Sequence, residues 1–237
     1  MLANSSNGVQ SGRIEKEIHL PSAARMELVE FIADEFPRWR DHPDRPNKQS
    51  ETSLTEHLCD HLNSATFHSP EWNHVQFRAE TGDETNAGRK IDLAPKPRGV
   101  AITIEGRRHS QFDALFPIEC KRLPTPEEKD RDPREYVITQ PGTTGGIQRF
   151  KFGHHGATHT FGAMIAYVQQ GTCTEWLPRV NEWIQDLATA GENGWSVEDT
   201  VNSTGEEPSS RLLKLRSSHQ RVAHLKPIEI RHIWIEV

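Results

Sequence analysis

Apolar residues along the chain recur with the periods of alternating strands and helices. Short apolar runs bounded by turn residues predict strands at 75–80, 88–93, 100–104, 116–123 and 161–168. The last run is apolar throughout, which is typical of a central strand that is covered on both faces. We therefore expect a sheet with at least one fully buried strand.

Helical periodicity is present in three longer segments. Apolar residues spaced three or four positions apart predict amphipathic helices over 22–36, 53–64 and 175–187. Ser53 is the predicted N-cap of the second helix, with Glu56 three positions on as in a capping box. Pro37 is predicted to end the first helix, and a shorter helix is predicted over 145–150.

The C-terminal part of the chain has a less regular pattern. Residues 190–210 are rich in Gly, Asn, Ser and Glu, and we expect a mobile loop there. Residues 217–221 predict a polar turn between strands. Residues 228–237 predict a strand whose apolar phase shifts near His232, through either a β-bulge or burial of both faces.

These elements predict one α/β domain over residues 13–237. Its core would lie at about 50–170, preceded by a Ser/Asn/Gly-rich, disordered tail at 1–12. A chain of 237 residues can bury about 70–75% of its unfolded surface, which is enough for a full α/β core.

Composition mainly excludes classes of protein: those with disulfide bonds, those with a signal peptide and those that span a membrane. The three cysteines, at 59, 120 and 173, are odd in number and lack metal-ligand spacing, so we expect reduced, buried thiols. The first residues are polar and lack the apolar core of a signal peptide. No run approaches 18 apolar residues, so we expect a cytoplasmic protein with no membrane span.

Charged residues interrupt two of the predicted strands. Asp92 lies in the run 88–93, and Glu119 and Lys121 lie in the run 116–123. Because side chains alternate along a strand, Glu119 and Lys121 share one face, with Cα atoms roughly 6.6 Å apart. Charges on a hydrophobic sheet are costly unless they interact with each other. The pattern indicates either a divalent metal held by carboxylates beside an ammonium, or a buried salt bridge.

The acid-x-Lys spacing is not informative by itself. Composition alone predicts roughly one such triplet in the chain. A second triplet does occur, at Glu127 and Lys129, in a polar, proline-bearing loop with no strand pattern. The apolar context of Glu119 and Lys121, and the preceding strand with Asp92, are what favour a site.

Asp92 followed by Glu119-x-Lys121 on a later strand resembles the PD-(D/E)XK phosphodiesterase superfamily, which has the restriction-endonuclease-like fold. Residues from about 50 to 170 also follow the order that this resemblance implies: helix, three strands, helix, strand. Ile91 stands where the family often has proline. The resemblance implies a central mixed β-sheet flanked by helices, here extended by an N-terminal helix and by a C-terminal helix and strand.

The resemblance also implies a metal centre. Asp92, Glu119 and the backbone carbonyl of Cys120 would hold Mg²⁺, with Mn²⁺ as a substitute, since these ions prefer oxygen ligands. Glu56 would be an outer or second-metal ligand, or only a capping partner. Lys121 would stabilise the charge on the phosphate and orient the nucleophile.

Gln148, on the helix after the lysine strand, matches a position where many members of the family have a glutamine. The resemblance gives it a catalytic role. The alternative is a solvent-facing helix residue.

The charge distribution indicates where a nucleic acid would bind. The net charge is -6, so the surface as a whole does not attract phosphates. Basic residues nevertheless cluster near Asp92 and within 211–232. We predict backbone contacts from Arg89, Lys90, His219 and Arg221, although a solvated charged surface fits these stretches almost as well.

His154, His155 and His159 form a second candidate metal site, for zinc. Gly153 and Gly156 oppose the helix that would place two of these histidines on one side. A loop with titrating histidines is the favoured interpretation.

The resemblance implies a Mg²⁺-dependent endonuclease, with DNA as a more probable substrate class than RNA. A bacterial defence or restriction-type system is the expected context, and a homodimer or a partner protein is compatible with it. The alternative is a catalytically inactive nuclease-fold subunit that binds nucleic acid or a partner protein.

Overall fold

The computed structural model describes residues 16–47, 49–86, 88–128, 131–192, 194–207, 211–222 and 224–237. In chain order its elements are β1 (Glu17–Leu20), α1 (Ala24–Arg40), α2 (Glu51–His68), β2 (Val75–Gly82), β3 (Lys90–Pro97), β4 (Ala101–Ile104), β5 (Arg107–His109), β6 (Ile118–Leu123), α3 (Gly146–Lys151), β7 (Phe161–Val168), α4 (Cys173–Thr189), a 3₁₀ turn (Val197–Asp199), β8 (Asn202–Glu207), β9 (Leu212–His219) and β10 (Ile228–Glu236). The tail predicted to be disordered, 1–12, lies outside the described residues.

Seven of the described strands form the main sheet, in the order β2-β3-β6-β7-β10-β9-β8. β7 lies at its centre and pairs in parallel with both β6 and β10. The other neighbouring strands pair antiparallel. β7 is buried at every position, as its continuous apolar run predicted.

β1, β4 and β5 form a separate three-stranded sheet. β4 and β5 make a hairpin whose two turn residues, Glu105 and Gly106, both have positive φ, as a two-residue turn of this kind requires. The strand predicted at 100–104 is therefore present but does not join the main sheet. β1 was not predicted, because its four residues alternate between exposed and half-buried and carry no apolar run.

Helices cover both faces of the main sheet. On β7, Phe161 and Tyr167 pack in the core cluster that contains α1 and α2. Met164 and Val168 point the other way, into the cluster that contains α3 and α4. The prediction of an α/β fold with a mixed sheet flanked by helices is thus confirmed.

The predicted C-terminal end of α1 and the predicted N-terminal end of α2 are both wrong, and the second error affects the site. α1 continues through Pro37 to Arg40, because Trp39 is buried and stacks on Tyr167 with ring centroids 5.8 Å apart. α2 begins at Glu51, and its cap is Ser50, whose hydroxyl accepts the Ser53 backbone N–H at 3.2 Å. Ser53 is therefore inside the helix, and Glu56 is not a capping partner.

The C-terminal region is more ordered than predicted. The expected loop at 190–210 contains the 3₁₀ turn and β8, and the expected turn at 217–221 begins inside β9. β10 pairs with both neighbours without interruption at His232, so it has no bulge there. Burial of both faces from His232 to Ile235 accounts for the shifted apolar phase.

Cys59, Cys120 and Cys173 are free and buried, as predicted. Among the helices in the described part of the chain, none combines the length and the apolar character needed to cross a membrane.

A buried polar network joins β9 and β10 to the layer of α3. His219 Nδ1 lies 2.7 Å from Asp199 Oδ1, and the Ser217 hydroxyl lies 2.6 Å from His219 Nε2 and 2.7 Å from His232 Nε2. Tyr136 continues the network, with its hydroxyl 2.7 Å from His232 Nδ1.

Only one arrangement of protons satisfies this network. An ionised Asp199 only accepts, so His219 donates from Nδ1 and accepts the Ser217 hydroxyl proton at Nε2. Ser217 then accepts from His232, whose Nδ1 accepts from Tyr136. Burial lowers the pKa of both histidines, which keeps them neutral as this arrangement requires.

The buried histidines should make the protein sensitive to acid. The folded state keeps His232 neutral below pH 6.5, whereas the unfolded chain protonates it, so stability falls as pH falls below 6.5. We expect His232→Gln to reduce the slope of unfolding free energy against pH by about 1.4 kcal/mol per pH unit in this range. Urea unfolding between pH 7 and 5 measures the slope. His19→Gln, at a side chain that is 75% exposed, is the control and should retain the wild-type slope.

Candidate active site

Asp92 and Glu119 lie on neighbouring strands of the main sheet. β3 and β6 are joined by the antiparallel pair Leu93 and Ile118. The Asp92 carboxylate extends this contact, because its Oδ2 accepts the backbone N–H of Cys120 at 2.8 Å. The two predicted strands therefore bring their charged residues to one place.

The Lys121 ammonium lies at the centre of four oxygen atoms. Its Nζ is 2.9 Å from Glu119 Oε1, 3.0 Å from the Cys120 carbonyl oxygen, 3.2 Å from Glu51 Oε1 and 3.8 Å from Asp92 Oδ2. The lysine side chain is 4% exposed. Three carboxylates from α2, β3 and β6 thus converge on one buried cation.

Glu51 joins this cluster because α2 begins at that residue. A carboxylate in the first turn of a helix also interacts favourably with the helix dipole. Glu56, the predicted partner from this helix, is exposed and makes no ion pair with Lys121. It lines the adjacent cleft with Glu51, Glu80 and Asp92.

Glu119 is held by three basic side chains. It is fully buried, and besides Lys121 it contacts Arg149 Nη1 through Oε1 at 2.5 Å and His155 Nδ1 through Oε2 at 2.9 Å. The His155 pair is close but not aligned as a hydrogen bond, so Oε2 keeps free acceptor capacity. Burial acts to raise the pKa of Glu119, but Lys121, His155 and Arg149 outweigh it and lower that pKa to about 2.

The same surroundings also shift the pKa values of Asp92 and Lys121. Burial, reinforced by the charge of Glu119, raises the pKa of Asp92 to about 8 despite the nearby Lys121. Burial would lower the pKa of Lys121, but Glu119, Glu51 and Asp92 together raise it above the usual value for lysine. Lys121 is therefore a permanent ammonium at neutral pH.

The cleft beside Asp92 is small, with a volume of about 50 Å³. It is large enough for a water molecule or an ion. Glu80, which lines it opposite Asp92, has a φ of 52° in the middle of β2, a left-handed conformation that is unfavourable for a residue with a side chain. Such strain is common at functional sites.

The chemistry of the converging oxygens fits a hard divalent cation, because carboxylate and carbonyl oxygens are the ligands that Mg²⁺ prefers. Their distances to Nζ are longer than the roughly 2.1 Å of Mg²⁺ coordination. Among the described residues, no group of three or more His, Cys, Asp or Glu side chains is arranged as a metal site. Metal binding would therefore require Lys121 to withdraw from the centre.

Gln148 is neither at the cluster nor solvent-facing. Its side-chain oxygen accepts the backbone N–H groups of Thr139 and Gly145, at 3.1 and 3.2 Å, and the residue is 5% exposed. The amide supports the loop before α3, so the interpretation as a solvent-facing residue is corrected, while the catalytic role stays a prediction. Arg149, the next residue, is the one that reaches Glu119.

The loop before α3 also fixes how closely this helix approaches the site. A Cβ added at Gly145 would overlap backbone atoms of Ile138, and one at Gly146 would overlap the Met164 side chain. Gly146 therefore lets the start of α3 lie close to β6 and β7, and Gly145 lets it lie against the preceding loop at Ile138.

The predicted nucleic-acid contacts have different outcomes. Lys90 is exposed and pairs with Glu80 at 3.0 Å, and Arg89 is half-buried near the same strand end. The prediction for His219 is corrected, because its side chain is fully buried between Asp199 and Ser217.

Arg221 does not present a free guanidinium. Its three nitrogens donate to the carbonyl oxygens of Lys226, Gly156 and His159. These hydrogen bonds connect the segment between β9 and β10 with the loop that contains His154, His155 and His159. Arg221 therefore has a structural role.

The three histidines of that loop have separate partners. His154 contacts the Thr143 carbonyl, His155 contacts Glu119, and His159 contacts Glu84. They do not converge, in agreement with the absence of a metal-ligand group among the described residues. The favoured interpretation of this segment, a loop with titrating histidines, did not anticipate that His155 is 2% exposed and contacts Glu119.

Sequence reasoning missed Glu51 and Arg149 and named His155 only as part of the candidate zinc site. Only Glu51 had a local signal, because Ser50 is as good a cap residue as Ser53. Comparison with family models, curated proteins and solved structures finds no match to this chain. A function therefore has to be inferred from its own residues.

Removal of the central ammonium should be strongly destabilising. We expect Lys121→Met to lower the free energy of unfolding by about 3–5 kcal/mol, because it leaves buried carboxylates facing one another. Lys90→Met is the matched control, since the Lys90–Glu80 pair is 61% and 48% exposed and should contribute less than about 1 kcal/mol. Chemical denaturation measures both. Equal small losses would contradict a central role for Lys121.

Proposed function

We propose that this protein is a metal-dependent nuclease that hydrolyses phosphodiester bonds, with DNA as its substrate. The observation that carries the proposal is the convergence of Glu51, Asp92, Glu119 and the Cys120 carbonyl on the Lys121 ammonium. A cation is the occupant that such a set of oxygens stabilises most strongly.

The order of elements supports the same proposal. α2, β2, β3, β6, α3 and β7 follow one another as the resemblance to the PD-(D/E)XK superfamily implies for its core. β4 and β5 are an insertion between β3 and β6 that joins another sheet. Asp92 and the Glu119–Lys121 pair lie on adjacent strands, as the proposed restriction-endonuclease-like fold requires.

In this proposal Asp92, Glu119, the Cys120 carbonyl and Glu51 would hold Mg²⁺ or Mn²⁺, with Glu51 in the role first given to Glu56. When bound, the metal would polarise a phosphate oxygen and lower the pKa of a coordinated water. The residues of the chain orient the reaction. Arg149 and His155 fix the Glu119 carboxylate in place.

Lys121 would act electrostatically. Because its pKa is raised by three carboxylates, it keeps its proton and is a poor general base. Its ammonium would stabilise the negative charge that develops on the phosphate, and it would have to give up its position between the oxygens to do so.

A catalytically inactive nuclease-fold subunit, which binds nucleic acid or a partner protein, is the second candidate. The state of Glu119 favours it: the carboxylate is fully buried and already faces three basic groups. A role in bacterial defence or restriction remains a proposal by analogy with other users of the fold.

Cleavage of supercoiled plasmid and single-stranded DNA, with Mg²⁺, Mn²⁺ or EDTA, tests the nuclease proposal. We expect metal-dependent cleavage that Asp92→Asn reduces at least about 100-fold, since it replaces a carboxyl ligand of the proposed metal with an amide. Glu127→Gln is the matched control, because Glu127 belongs to the other acid-x-Lys triplet, in an exposed loop. Equal cleavage by wild type and Asp92→Asn would indicate a contaminant and favour the inactive subunit.

The contribution of α2 can be tested by two substitutions on one helix. We expect Glu51→Gln to raise the Mg²⁺ concentration needed for half-maximal cleavage at least about tenfold, because it removes a carboxylate from the proposed ligand set. Glu56→Gln should change it less than about twofold, since Glu56 lies outside the cluster. The reverse ranking would restore Glu56 as the ligand.

A further inference from the structure

A second pocket lies between the C-terminal end of α1, the loop that follows it and α2. It has a volume of about 310 Å³, within the range of small-molecule sites. His57, Asp60 and His61 line it from one stripe of α2. Glu51 and Thr55 line the candidate active site from another stripe, so the two sites are separate.

Three buried polar atoms of this pocket have no hydrogen-bond partner among the residues that the structure describes. They are Trp39 Nε1, Arg45 Nη1 and His57 Nδ1, and all three residues line the pocket. Trp39 is only 1% exposed. An unsatisfied buried polar group is destabilising, so three in one place require an explanation.

The unpartnered atoms share one chemical requirement. An indole N–H and a guanidinium only donate hydrogen bonds, and a neutral histidine can donate from Nδ1. The Arg45 guanidinium lies over the Trp39 ring, 4.9 Å from its centroid, and is close enough to Asp41 to interact with its charge but forms no salt bridge with a described carboxylate. An oxygen-rich anion would satisfy all three atoms together.

The acidic residues of the pocket lie at its rim. Asp44 and Asp60 are exposed, whereas Trp39, Arg45 and His57 are buried or half-buried. An oxyanion would therefore meet the donors at the inner end. Hydrogen-bond donors elsewhere on the same molecule would face the two carboxylates.

We propose that this pocket binds a small molecule with an oxyanion group, either a carboxylate or a phosphate, and with hydrogen-bond donors at its other end. The oxyanion accepts hydrogen bonds from Trp39, Arg45 and His57. The site is independent of the proposed nuclease centre.

Nuclear magnetic resonance of the indole groups tests this site directly. The chain has six tryptophans, so six indole N–H signals are expected, and Trp39→Phe identifies the one from the pocket. The full-length protein is titrated with inorganic phosphate, acetate, adenosine monophosphate and glutamate, in EDTA to exclude metal binding by histidines. We expect the Trp39 signal to shift and saturate with at least one probe. Adenosine monophosphate and glutamate, which carry an oxyanion and hydrogen-bond donors, should bind more tightly than inorganic phosphate and acetate.

Two arginine variants control the experiment. Arg45→Gln should weaken binding at least tenfold while the other five indole signals stay in place, which verifies the fold. Arg179 also stacks on a tryptophan, with its guanidinium 5.2 Å from the Trp176 ring centroid, so Arg179→Gln should bind like wild type.

Phosphate-only or carboxylate-only shifts would identify the oxyanion. The proposal is overturned if no probe shifts the Trp39 signal at 10 mM, which would leave water as the partner of these atoms. It is also overturned if Arg45→Gln binds as tightly as wild type.

Discussion

A carboxylate that is buried in a sheet has to be neutralised by basic groups. In this protein the buried carboxylate is that of Glu119. Its side chain has no exposure, and three basic groups surround it: Lys121, Arg149 and His155. Lys121 in turn meets carboxylates from α2 and β3, so each charge is balanced by others from different elements. Because an unpaired buried charge is strongly destabilising, β3, β6, α2 and α3 are held in one relative arrangement by this cluster.

Buried charges are also paired between α3 and the C-terminal strands. Arg149 faces Glu119, and Lys151, two residues on, lies 2.6 Å from Asp199, where both side chains are 2% exposed. Asp199 also begins the buried histidine network of β9 and β10. A six-residue helix thus joins two buried polar clusters on either side of it. This accounts for the 3₁₀ turn and the strands in the described part of residues 194–237, although this sequence is rich in loop-forming residues.

The sequence predicted the parts of the fold that depend on local pattern. The apolar runs located β2, β3, β6 and β7, and two acids and a lysine within them located the cluster. The end of α1 depended on tertiary packing, because burial of Trp39 carries the helix past Pro37. The start of α2 at Glu51, with Ser50 as its cap, brings Glu51 and not Glu56 to Lys121. Arg149 could not be anticipated, because which residue of a helix reaches the sheet depends on how closely the helix approaches.

The nuclease and binding-subunit proposals differ in the free energy needed to move Lys121 away from the four oxygens. A divalent cation would bring twice the charge to the same carboxylates, and a substrate phosphate would offer the displaced ammonium a new partner. Glu119 would remain in contact with Arg149 through Oε1 and with His155 through Oε2. Because Glu119 is fully buried among three basic groups, exchange of cations at the cluster depends on the withdrawal of Lys121.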